Sequence, residues 1–217
     1  MKKEHLLNIP KHFKTICIHK YWVYKYCKLC GITWRGIKHD LSKFSPTEFF
    51  ESIKYYTGTS SPIDGAKKAM GYSKAWFHHR GRNDHHYEMW VDNFDNGGIP
   101  LDMPFECVVE MLCDYLGAGK AYYKENFNYL KEFNWFKQKI SNPVAMHIHT
   151  KAFIYIVLEL LASIEYYGEH DPVIQVLGKD NLYKIYNETS REYTEESFAE
   201  HVKYMKSVWR ERLCQEK

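Results

Sequence analysis

Apolar residues in this chain recur at helical spacing, and nowhere does a period-two alternation run long enough to make a convincing strand. The strongest case is Thr150 to Tyr167, where Phe153-Ile154 and Ile156-Val157-Leu158 lead into Leu160-Leu161 and the pattern stops at Gly168. It predicts the most buried helix of the protein. Residues 11 to 30 place Phe13, Ile16, Cys17, Val23 and Cys27 at helical spacing ahead of Gly31. Ser45-Pro46-Thr47-Glu48 predicts a helix start near Pro46: Ser45 caps, Pro46 suits the first turn and Glu48 reaches back to the capping backbone. That helix should run to about Tyr56. Further helices are expected over Ala66 to His79 with a break at Gly71, in a short piece from Asp84 to Trp90, and from Pro104 to about Lys124. In the last of these Val108, Met111, Leu112 and Tyr115 face inward. Thr194 to Leu213 completes the set, with acids in its first turn and Arg210 and Arg212 near its end, as the helix dipole prefers. Asp92 to Pro100 reads as a loop. The expectation is an all-α helical bundle, residues 1 to 217 forming a single domain with its chemistry in 11 to 124 and the helices of 142 to 217 packed on it.

A chain of 217 residues can bury a core without staples, and its apolar runs are too short and too often interrupted by Lys, Glu and Tyr to span a bilayer. No membrane association is expected. Met1 to His5 lacks the apolar stretch of a secretory signal, so the expected location is cytoplasmic. The six cysteines are scattered through helical segments and fit reduced thiols; Cys27-x-x-Cys30 lacks the second pair that a four-ligand zinc site needs. Residues 1 to 43 hold ten Lys or Arg against two acids, a local +8 hidden within a net +3. Such a segment can draw in an anionic small molecule or track nucleic acid, and charge alone does not choose.

The twelve histidines are the chemical oddity, and six of them (19, 39, 78, 79, 85 and 86) lie within residues 19 to 86. Imidazoles that converge with one or two carboxylates are what a dinuclear site of borderline metals requires. His39-Asp40 is an adjacent imidazole and carboxylate, and, if the segment is helical, Lys43 lies one turn on and aims its ammonium at whatever anion binds there. Asp114 sits in an otherwise apolar helical stretch, where a carboxylate needs a cation or strong hydrogen bonds to offset its burial. Glu110, one turn before it, is either a support for that site or a surface acid. Gly81 and Asn83 predict a bend that lets His79 and either of His85 or His86 converge; the rival is a solvated His-rich turn. His147 and His149 read as loop or cap residues, and Tyr21, Tyr24, Tyr26 and Trp34 as packing.

Taken in order, His19, then His39-Asp40, then a histidine cluster, then Asp114 resembles the HD-domain superfamily of metal-dependent phosphohydrolases, and His39-Asp40-Leu41-Ser42-Lys43 is similar to its His-Asp-Ile-Gly-Lys string. The resemblance covers residues 19 to 114. It implies that His19, His39, Asp40 and Asp114 hold one metal and that Asp40 bridges to a second, held by the 79 to 86 cluster, in which His79, His85 and His86 match the extra histidines of binuclear members and His79 and His85 are the expected ligands. By the same resemblance Lys43 is the phosphate-facing lysine; Asp40, Lys43 and His86 are expected to be catalytic, and Arg80 or Arg82 to join Lys43 in binding the phosphate. The stretch from Trp76 to Trp90, with Glu110-Met111-Leu112-Cys113-Asp114-Tyr115, also looks like an uncharacterised family of small bacterial and viral proteins, domain of unknown function 5662. The expected cofactors are one or two divalent metals, among Mn, Fe, Co, Ni, Zn and Mg.

The leading expectation is therefore a metal-dependent phosphohydrolase or phosphodiesterase acting on a nucleotide or similar small anionic phosphate ester. A second reading keeps the ligands and makes the protein a di-iron oxygenase, as some HD-fold proteins are. A third, non-enzymatic reading has the basic, aromatic-rich helices bind nucleic acid or protein. Residues 142 to 217 are expected to close the pocket or to form a homodimer face.

Overall fold

Helices α2 (Asn8–Leu29) and α7 (Phe105–Tyr123) cross along most of their lengths, and this crossing supports the rest of the molecule. The structure is a computed structural model and describes residues 3–167, 173, 176–189, 192 and 194–215. A short helix, α1 (Lys3–Leu6), precedes α2. The buried stripe of α2 is His12, Ile16, His19, Val23 and Tyr26, at alternating intervals of four and three, with Cys27 beside the last. The expected inner face is corrected by this: Phe13 is 50% exposed and Cys17 is exposed. Ile16, Val23 and Cys27 are buried as expected, and the histidines, which a hydropathy pattern counts as polar, complete the stripe.

Gly117 lets the two helices meet. A Cβ there would lie 2.5 Å from Val23 Cγ2 and 3.1 Å from the Val23 backbone nitrogen. Gly117→Ala is expected to push α2 off α7 and to cost about 1–3 kcal/mol in thermal or denaturant unfolding. Because His19 rides on α2 and Asp114 on α7, the same variant should bind metal more weakly in an equilibrium titration; unchanged stability would show that the crossing tolerates a methyl group.

After α2 the chain turns through α3 (Thr33–Lys38), a 3-10 turn (Leu41–Phe44), α4 (Pro46–Tyr55), α5 (Pro62–Met70) and α6 (Lys74–Arg80). The expected break at Gly71 is present, with the glycine at φ 77° closing α5. Residues 84 to 90 are not a helix: only Tyr87–Met89 makes a single 3-10 turn. The following loop contains two two-residue strands, β1 (Val91–Asp92) and β2 (Ile99–Pro100), antiparallel with Val91 opposite Pro100. A ribbon of two residues per strand is too short to leave a period in the sequence.

Among the described residues, α7 is followed by α8 (Tyr129–Ile140), α9 (Ile148–Tyr167), α10 (Lys179–Glu188) and α11 (Glu195–Gln215). Sequence spacing gave no expectation for α8 and α10. In α8 the inward positions are Tyr129, Glu132, Phe133 and Phe136, so a buried acid interrupts the apolar stripe, and Asn128 caps it by accepting from the Lys131 N–H at 2.8 Å. The apolar positions of α9 pack with those of α2, α7, α8 and α10 in one hydrophobic cluster. Gly168 and the side chains of Arg210 and Arg212 lie outside the described residues. The described chain is mostly helical, and no described helix is long and apolar enough to cross a membrane.

His149 is not a loop residue. It sits fully buried in the first turn of α9, with Nδ1 2.7 Å from Asp102 and Nε2 2.8 Å from the Tyr186 carbonyl. It ties α9 to the loop before α7 and to α10.

Candidate metal centre

His39 ends α3, and Asp40 takes a left-handed conformation at φ 55°. A non-glycine residue at positive φ is uncommon, and Asp and Asn tolerate it best. Here it reverses the chain after α3 so that both side chains of the His-Asp pair turn inward, beneath α2 and α7. The expectation of a helix through residues 39 to 43 is thus corrected: a left-handed residue and a 3-10 turn replace it, and Lys43 swings back onto Asp40 itself, Nζ to Oδ2 at 2.5 Å.

Asp40 is 1% exposed and stands at the centre of the site. Its Oδ2 lies 3.4 Å from His19 Nε2 and 3.1 Å from His39 Nε2, while its Oδ1 lies 3.3 Å from His79 Nε2 and 3.6 Å from His85 Nε2. Asp114 joins the first pair, Oδ1 to His19 Nε2 at 3.1 Å and to His39 Nε2 at 3.5 Å. The donor atoms fall into two groups that share Asp40: His19, His39, Asp40 and Asp114, and Asp40, His79, His85 and His86. Within each group the donors lie within 4.8 Å of one another. The second group forms because α6 ends at Arg80 and the bend after it carries His85 and His86 back beside His79.

These groups fit a metal better than they fit each other. Both oxygens of Asp40 and the Nε2 atoms of His85 and His86 are buried without a properly directed hydrogen bond, despite the short separations. Buried polar atoms are rarely left so. The opposite ring nitrogens, by contrast, are held: Glu110 Oε1 is 2.8 Å from His39 Nδ1 and 3.2 Å from His85 Nδ1, and Glu48 Oε2 is 2.8 Å from His79 Nδ1. A carboxylate that accepts from Nδ1–H leaves the Nε2 lone pair aimed into the site, the arrangement of a metal-ligating histidine. Arg35 steadies Glu110 in turn, Nε to Oε2 at 2.5 Å, and also pairs with Asp84.

Burial opposes charge on Asp40, yet His39, Lys43 and His79 hold its carboxyl well below the ordinary range. Burial likewise opposes ionisation of Asp114, and His19 and His39 outweigh it. Burial also opposes protonation of His39, but Asp40, Asp114 and Glu110 raise its pKa well above the imidazole value. His86 goes the other way, kept neutral by burial and by His85 and His79. A cavity of about 170 Å³ opens onto the site and is lined by His19, Lys43, His79, His86 and Asp114 among others.

Arg80 and Arg82 do not reach this cavity. Both line a separate open groove with Lys67, Lys74, Tyr72 and Phe77; the Arg80 guanidinium lies over Phe77, and Arg82 donates to the His78 carbonyl at 3.2 Å. Because His79 takes the inward position of α6, its neighbour Arg80 is rotated away by about 100°. Glu48 is the residue that sequence reading misassigned. Its N–H does meet the Ser45 hydroxyl at 3.4 Å, but its side chain turns inward to His78 and His79 rather than back to the cap.

The family model described as a family of unknown function, DUF5662, matches residues 8–160 of the chain. No curated protein and no solved structure matches it.

Proposed function

The chain belongs to the DUF5662 family, which comes with no assigned activity, and from that premise we propose that it is a metal-dependent phosphohydrolase or phosphodiesterase of HD-domain type, acting on a nucleotide or similar small phosphate ester. The observation that carries the reading is Asp40, a buried carboxylate whose two oxygens face two separate sets of imidazoles. A carboxylate so shared suits a pair of metal ions, one held by His19, His39, Asp40 and Asp114 and the other by Asp40, His79, His85 and His86. Bound there, divalent metals would lower the pKa of a water and neutralise charge on a phosphoryl group.

The chain's own groups then have distinct tasks. Glu110 and Glu48 orient His39, His85 and His79, and Arg35 fixes Glu110. Lys43 is the cation at the cavity wall, paired with Asp40 and able to turn toward a phosphate oxygen. His86, buried and kept neutral, retains an unpartnered Nε2 that suits a ligand of the second metal rather than a proton acceptor. Arg80 and Arg82 have no part in this reading.

Elemental analysis of untagged protein, followed by assay of linear and cyclic nucleotides and simple phosphate monoesters with the matching metal, tests the proposal. One or two transition metals per chain and release of phosphate or a nucleoside monophosphate are expected. Undiminished activity in metal-free protein would sink it, and iron with oxygen consumption in place of hydrolysis would move the assignment to an oxygenase.

A further inference from the structure

Beside the metal centre lies a second cavity, of about 320 Å³, which shares Trp76, His86 and Asp114 with the first. That is a size at which small-molecule sites begin. Tyr115 and Trp135 form one wall, edge to face with ring centroids 5.0 Å apart. Glu132 of α8 lines it although the residue is only 4% exposed, and its Oε2 makes no hydrogen bond. The space it occupies exists because residue 119 is a glycine: a Cβ there would lie 2.3 Å from Glu132 Oε2.

A buried carboxyl with an unused oxygen at the edge of an aromatic cavity is costly unless something pairs with it. Its chemistry narrows what that is. Burial, reinforced by Asp114, pushes the Glu132 carboxyl up to about 8, so it presents an O–H donor beside a C=O acceptor. An organic cation is disfavoured, because the Lys139 ammonium already lies in the lining, 5.0 Å from the Tyr87 ring centroid and 5.6 Å from that of Trp135. A second anion is disfavoured by Asp64, Glu88 and Asp114 in the same walls. What remains is a neutral, planar ring with a donor and an acceptor side by side on its edge.

We propose that this cavity binds a nucleobase, with the ring against the Tyr115 and Trp135 wall and its donor–acceptor edge paired to Glu132. As a selecting pocket for the leaving or retained nucleoside of a substrate it rests on the phosphohydrolase reading; as a binding site it does not. The two cavities adjoin, with His86 and Asp114 in the walls of both, so a nucleotide whose base sits here would have its phosphate on the metal-centre side.

The test uses the full chain and four free nucleosides, adenosine, guanosine, cytidine and uridine, titrated by tryptophan fluorescence and calorimetry. At least one should bind to wild-type protein. Glu132→Leu should weaken it by about ten-fold, the loss of a paired donor and acceptor, whereas Glu132→Gln, which keeps that pattern on an isosteric group, should bind within a few-fold of wild type. Trp135→Ala, a change at a partly exposed wall residue, should weaken binding too and serves if Glu132→Leu fails to fold. No binding of any nucleoside, or equal binding by wild type and the weakened variants, overturns the proposal. Nucleoside binding without hydrolysis of any nucleotide would instead overturn the phosphohydrolase and leave the cavity standing; hydrolysis of simple phosphate esters without nucleoside binding would do the reverse.

Discussion

Asp40→Asn is expected to empty the site of metal and to lower any metal-dependent turnover by about 10³-fold or more, while leaving the protein folded. Asparagine is the informative replacement because Asp40 sits at φ 55°, a conformation that Asn adopts readily and Ala does not. Asp40→Ala would mix metal loss with about 1 kcal/mol or more of backbone strain. In Asp40→Asn the side chain keeps its volume but loses the charge that both donor groups share, so neither His19 and His39 nor His79 and His85 retains an anionic partner on that side. Glu110→Gln should be milder, about 10–100-fold in metal affinity, since it removes only the support behind His39 and His85. Elemental analysis and calorimetric titration of the two variants beside wild type check this. Asp40→Asn retaining stoichiometric metal would remove the shared carboxylate from its central place.

The second large effect concerns stability against pH. Glu132 ionises near 4.5 when unfolded and at about 8 when folded, because burial disfavours its anion. Below pH 4.5 both states carry the proton and the residue contributes no pH dependence. As pH rises from there the unfolded chain gives up its proton while the folded one keeps it, so unfolding becomes easier until pH passes about 8, where the dependence levels off. The folded state is penalised by about 3 kcal/mol at pH 7. Glu132→Gln should remove that slope and raise the stability at pH 7 to 8 by a similar amount, read from denaturant melts across pH 5 to 9. A variant whose profile follows that of wild type would show that the carboxyl ionises normally in the fold.

How legible the site was in the sequence differs by residue. Asp114 stands out because a carboxylate in an apolar helical stretch leaves a contrast along the chain, and His39-Asp40 as an adjacent imidazole and carboxylate, whereas His19 is marked only by the order it shares with the HD ligand set. The bend at Gly81 and Asn83 is a local backbone preference, and local preferences are readable. Glu48 was not readable, since a Glu three residues after a capping serine has an ordinary explanation, and only the approach of α6 to α4 gives it a different one. Arg80 and Arg82 lie outside the cavity at the metal centre. They are close to the ligands along the chain, but the turn that points His79 inward points them out. On the inner face of α2, Ile16, Val23 and Cys27 are buried as expected, while His12 and His19 join the stripe and Phe13 and Cys17 do not.

Helical character, the helix start at Pro46, the stop at Gly71 and the stock of potential ligands follow from the sequence alone, because each depends on residues within a few turns of one another. The tertiary structure decided what those ligands do together. It put one carboxylate between two sets of imidazoles by holding Asp40 in a left-handed turn, it recruited Glu48 and Glu110 from other helices to orient them, and it buried Glu132 against a bare glycine beside the metal centre. Each of these pairs residues distant in sequence through the packing of helices, and helix packing is set by the shapes of whole faces rather than by any short pattern of residues.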